Sequence, residues 1–155
     1  MDLELHHVDE TQALATCGAV VMRIVMSAPT RVEDIDHVIT LVDAVLERSP
    51  TAGLWVVVHH GAPLPPAHVR DHATHQFRPY EDRLCTTVSM LGLGFWASTA
   101  YKVTAAFTRL AKRSAPVEAS VADGARRLSM ELIGIDADAL IAAHDELSAQ
   151  MSAGG

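Results

Sequence analysis

The chain has 155 residues, 49% of them hydrophobic and 20% charged, with a formal net charge of -7. That length suits about one domain, able to bury roughly two-thirds of its unfolded surface, and the composition is globular rather than disordered. The acidic balance argues against a nucleic-acid partner, because neutralising phosphates needs a basic surface. Aromatic residues make up 5%, which leaves the core to Val, Leu, Ile, Ala and Met.

Residues 3–7 read as a short strand, with Asp9 and Glu10 in the turn behind it. Cys17 to Met26 is β-rich and apolar on both faces, as a central strand is. After the break at Ser27–Pro29, Thr30-Arg31-Val32-Glu33 reads as a capping box. Val32, Ile35, Val38, Ile39, Val42, Val45 and Leu46 follow at helical spacing, predicting a helix over 31–48. Ser49–Gly53 is a turn and Leu54–Val58 a strand. Gly61-Ala62-Pro63-Leu64-Pro65-Pro66 ends that strand, and a short helix covers 66–77, with Pro66 tolerated in its first turn. Arg78-Pro79-Tyr80 stops this helix.

Leu84–Leu91 is the next strand, and Gly92-Leu93-Gly94 turns into a long helix over about 95–113. A final short strand spans Pro116–Ala119. Ser120-Val121-Ala122-Asp123 is a second capping signal for a helix to about Ile133. Gly134 closes it, Asp136 caps the last helix, and residues 152–155 form a frayed tail. The last helix carries an apolar stripe of Ala137, Leu140, Ile141, His144, Leu147 and Met151, which caps the core or serves a dimer surface. The order β-β-α-β-α-β-α-β-α-α predicts a single α/β domain over residues 1–155. Its single-layer mixed, largely parallel sheet has four to five strands flanked by helices, with the first two strands an antiparallel edge pair.

Residues 15–133 resemble the STAS and SpoIIAA-like group of small α/β domains, whose general architecture is shared with the CRAL-TRIO lipid carriers. The likeness rests on the order of elements and on the closing pattern Pro116-Val117-Glu118-Ala119-Ser120-Val121-Ala122-Asp123-Gly124-Ala125-Arg126-Arg127-Leu128. It implies a non-catalytic binding or regulatory domain of the bacterial cytosol, acting on a partner protein or a small apolar ligand. The group's phosphorylatable Asp-Ser-Ser/Thr-Gly-like loop has no counterpart here. The loops read His59-His60-Gly61-Ala62-Pro63 and Gly92-Leu93-Gly94-Phe95, so the phospho-switch role does not carry over.

Five of the nine histidines gather between residues 59 and 75. His59 and His60 close a strand, at the end where α/β sheets place their sites. His68, His72 and His75 follow at i, i+4 and i+7, in one stripe off the apolar face of Val69, Ala73 and Phe77. A strand-end imidazole with His68, His72 and possibly His75 could supply three nitrogens to zinc, leaving a position for water, with Asp71 or Glu81 as a further ligand or support. The metal set of this alternative, a zinc-binding protein or zinc-dependent hydrolase, is His60, His68, His72 and His75. The leading reading needs no cofactor and leaves the stripe as a solvated helix face. Its groove for a ligand or partner is Phe95, Trp96, His59 and His60.

Gly92-Leu93-Gly94-Phe95-Trp96-Ala97 matches a dinucleotide fingerprint, but Phe95 and Trp96 are bulky where a pyrophosphate would approach. Cys85 and Ser89 lie within a strand with no base or elbow-like turn to expose them, so no catalytic residue is assigned. Lys102, Arg109, Lys112, Arg113, Arg126 and Arg127 read as a solvated basic face. Cys17 and Cys85 lack a C-x-x-C spacing and read as free thiols of a reducing compartment. No basic, apolar leader opens the chain, and no apolar run approaches the roughly 20 residues that span a bilayer. The expectation is a cytoplasmic protein with no membrane span, with homodimer formation left open.

Overall fold

A computed structural model describes residues 2–92, 102 and 116–153. Three strands, β1 (Leu3–Val8), β2 (Gln12–Cys17) and β3 (Val20–Val25), form an antiparallel meander. Asp9 builds the first turn: one carboxylate oxygen accepts from the amides of Thr11 and Gln12 and from the Thr11 hydroxyl, at 2.6–2.9 Å. Those bonds hold its carboxyl far below the usual carboxylate range. The second turn is the two-residue link Gly18-Ala19 between paired Cys17 and Val20, with Gly18 at φ 56. A positive φ at the first central position is what a tight hairpin of the II′ kind asks of glycine.

The chain then alternates. Helix α1 (Val32–Arg48) leads to β4 (Ala52–Val58), and α2 (Ala67–Phe77), with a 3-10 turn at Arg78–Tyr80, leads to β5 (Leu84–Met90). Beyond these come β6 (Val117–Glu118), α3 (Val121–Glu131) and α4 (Ala137–Ala153). β3 to β6 pair in parallel, and the sheet order is sequential from β1 to β6.

The fold class is α/β, as expected, but among the described residues the sheet has six strands rather than four to five. The additional strand is β2, so the antiparallel part is a three-stranded meander rather than an edge pair. The expected strand from Cys17 to Met26 ran across the Gly18 turn. Gln12-Ala13-Leu14-Ala15-Thr16-Cys17 is alanine-rich, with weak β-propensity and no polar-apolar alternation, because both its faces are covered. The helix expected over 95–113 lies outside the described residues. α4 continues through Ser152 and Ala153.

α1 and α2 share one face of the sheet, as two successive right-handed crossovers in one direction require. Val38, Val42, Val45 and Leu46 pack there on Leu14, Val21, Leu54 and Leu84, with Phe77 and Tyr80 beside them. α3 and α4 cover the other face, where Leu128, Leu132, Leu140, Ala143, Leu147 and Met151 meet Ala13, Ala15, Met22, Ile24, Trp55 and Val57. Each fully buried aliphatic side chain contributes about 1.5–3 kcal/mol against exposure. The stripe expected on the last helix caps the core.

The two capping signals fared differently. Ser120 caps α3, its Oγ accepting from the Asp123 amide at 3.0 Å. At α1 the box sits one residue later than read: the Arg31 amide donates to Asp34 Oδ2 at 2.8 Å, and Glu33 is exposed. Thr30 instead accepts from Arg23 Nη2 at 3.3 Å. The displacement has a cause in the core. Asp34 faces the buried guanidinium of Arg23 at 3.8 Å, and Glu33, one position away on the helix, could not.

Candidate functional site at the carboxyl edge of the sheet

The parallel strands end at Val25, Val58 and Met90, and ligands of open α/β sheets bind beyond such ends. After β4, Ala62 donates its amide to the His59 carbonyl at 3.1 Å, with Gly61 at φ 81. This is the glycine geometry of a type II turn. Arg70 of α2 donates back to the Pro65 carbonyl at 2.7 Å and fixes the proline stretch. Between this loop and the start of α1 runs a groove of about 350 Å³, lined by Pro29, Thr30, Arg31, Glu33, Pro66 and His68 among others. Beneath it the Arg23–Asp34 pair and its Thr30 contact hold the wall in place. Burial lowers the Arg23 pKa while the Asp34 carboxylate opposes the shift, and a guanidinium stays charged in any case.

The two strand-end histidines separate. His59 follows Trp55 and Val57 at alternate positions and so turns toward α4, where its ring stacks on His144 with centroids 6.5 Å apart and planes 10° from parallel. Trp55 lies on the other side of His144 at 5.9 Å. His59 Nε2 is buried and has no hydrogen-bond partner among the described residues. Burial first, and the His144 charge second, lower the His59 pKa below its ordinary value. His144 is 7% exposed, its Nδ1 lies 3.2 Å from Asp145 Oδ1 and its Nε2 3.5 Å from Ser148 Oγ. The reading of His144 as one more member of an apolar stripe missed this pairing. A histidine among the core positions of an amphipathic helix was the available signal.

The other histidines of the 59–75 cluster lie toward α1 and α2, on the opposite side of the sheet. His72 Nε2 is 2.7 Å from Asp36 Oδ1 on α1, His68 lines the groove, and His60 and His75 are exposed. Among the described residues no three or more His, Cys, Asp or Glu side chains gather to hold a metal ion. His59 and the α2 stripe belong to different faces, which is the physical reason they do not converge. Of the expected partner groove, Phe95 and Trp96 lie outside the described residues, as does all of the glycine motif except Gly92.

The strand residues considered as nucleophiles are part of the architecture. Ser89 Oγ is fully buried and accepts from Trp55 Nε1 at 3.0 Å, and Cys85 Sγ donates to Glu131 Oε2 at 3.0 Å. Ser148, His144 and Asp145 have the order of atoms of a charge-relay set. They stand on one regular helix, with no turn to expose the hydroxyl. Cys17 is buried and Cys85 half-buried, and neither forms a disulfide among the described residues. Among the described residues no helix is long and apolar enough to cross a membrane. No family model, curated protein or solved structure matches this chain.

Proposed function

We propose that the protein is a STAS-like binding domain of the bacterial cytoplasm that engages a partner protein at the carboxyl edge of its sheet. The observation that carries this reading is the groove between the Pro29–Glu33 segment and the start of α2. Its walls are stiffened by prolines and by the Arg23–Asp34–Thr30 contacts, so little ordering cost falls on the domain when a partner arrives. Exposed Arg31, Glu33 and His68 give it a polar rim over the apolar patches of Pro29 and Pro66, a combination that suits a protein surface better than a small apolar ligand. The resemblance to binding domains of the STAS group supports the same reading.

A photoreactive residue placed at His68 should capture one discrete partner in the native cell, whereas one at the exposed Gln150 on α4 should not. The purified partner should then bind in a titration and lose affinity at least tenfold with Arg31→Glu. Equal capture from both positions, or turnover in a hydrolase or oxidoreductase screen that one substitution abolishes, would overturn the proposal. The zinc alternative has a direct measurement of its own. Chelator-free protein and the His68→Ala/His72→Ala variant are expected to carry the same, substoichiometric metal.

A further inference from the structure

We infer that the stacked His59–His144 pair is a proton-operated latch on the C-terminal helix: it seats α4 on the sheet while His59 is neutral and loosens that seat when His59 takes a proton. The inference is independent of the proposed partner groove, because the pair lies on the opposite face of the sheet.

The geometry supplies the reason. His59 follows β4 directly and turns to the face that α4 covers, and His144 is the polar residue in the buried stripe of that helix. A neutral imidazole needs only one donor, so the buried, unpartnered Nε2 of His59 is tolerable as a bare acceptor nitrogen. Protonation turns that nitrogen into a charged donor with no acceptor among the described residues, at a buried atom. It also sets a cation 6.5 Å from a second ring that can carry charge.

Among the described residues the neighbouring elements do not compensate. From α4 itself, Asp145 is engaged with His144, and the Glu146 charge bears on Cys17. β3 meets the His59 backbone at Val25, and Leu91 follows β5 beside Val58. Asp9, in the β1–β2 turn, is committed to Thr11, Gln12 and His7. β4 contributes Trp55, and α3 contributes Ala125 and Leu128 to the same core. The direction follows from linkage. With the His59 pKa lowered in the folded protein, the unfolded or undocked state takes the proton first as pH falls. The seat is therefore firm above about pH 6.5 and weakens below it, until the pH passes the folded pKa.

Amide hydrogen exchange, corrected for intrinsic rates, reads this locally. Between pH 7.5 and pH 5.0 the protection of α4 (Ala137–Ala153) should fall at least tenfold relative to that of α1. The His59→Phe variant keeps a ring in the stack and should show a differential fall below twofold, whereas His144→Phe leaves the buried His59 nitrogen in place and should retain most of the fall. Parallel loss in α1 and α4, no loss, or an undiminished loss in His59→Phe would overturn the latch. Ring-proton titration of wild-type protein keeps the test open if a variant does not fold. His59 should titrate below the ordinary imidazole range, and an ordinary titration would refute the inference.

Discussion

The two faces of the sheet solve the same burial problem in opposite ways. The α1/α2 face is filled with branched aliphatics, and it holds the buried ion pair of Arg23 with Asp34, whose side chains are 6% and 7% exposed. The α3/α4 face combines one large ring, Trp55, with small residues: Ala13, Ala15, Cys17, Gly124, Ala125 and Ala143. Its buried polar groups are Ser89, Thr87 and His144, with no carboxylate or guanidinium among the described residues. One face tolerates a charge because a helix start delivers its counter-ion. The other lets two helices approach closely because the residues between them are small, and so depends on shape.

The sharpest way to break this comparison is to leave the charge on the first face alone. Asp34→Ala should cost about 3–5 kcal/mol in urea unfolding, because Arg23 then stays buried and unpaired. The double change Arg23→Met/Asp34→Leu should recover much of that loss, since two apolar groups replace both ions. A recovery of nothing would mean that the Arg31 amide bond to Asp34, and not the ion pair, carries the stability.

On the second face the corresponding lesion is one carbon atom. A Cβ at Gly124 would stand 2.1 Å from Ser89 Oγ and 2.6 Å from Trp55 Nε1. Gly124→Ala should therefore destabilise by about 3 kcal/mol despite alanine's better helix propensity, a loss readable in the thermal midpoint. Ser89→Ala should cost less, about 1–3 kcal/mol, by leaving the fully buried indole N–H without an acceptor. A red-shifted or broadened Trp55 emission would accompany it. The smallest effect belongs to the exposed link between α1 and α2. His72→Gln should change stability by about 0.5 kcal/mol or less, because the bond to Asp36 is screened by water.

The sequence disclosed the elements whose signals are local. The 3.6-residue spacing of Val38, Val42 and Val45 marked α1, and the β-branched run Val56-Val57-Val58 marked β4. Ser120 with Asp123 and Asp136 with Ala139 indicated helix starts that the structure contains. β2 stayed hidden because its alanines are explained only by the helix lying on them, at the far end of the chain. The cap of α1 was misplaced by one residue because Glu33 and Asp34 both fit the local pattern, and a buried arginine on β3 chose between them. The histidines were legible as a cluster in sequence but not in space. Alternation along β4 sends His59 to one face, while α2 carries His68, His72 and His75 on the other. The partner His59 does have, His144, is far along the chain.

Strict sequential order in the sheet bears on how the protein is made. Each strand leaving the ribosome pairs with one already formed, so no strand has to be inserted between two others, and pairings stay short in sequence. The exception is α4, which follows all six of these strands in the chain and closes over β1 and β2. Until it arrives, the alanine-lined face of the opening meander has no cover. Nascent chains that stall before Ala137 should therefore be the ones that need a chaperone.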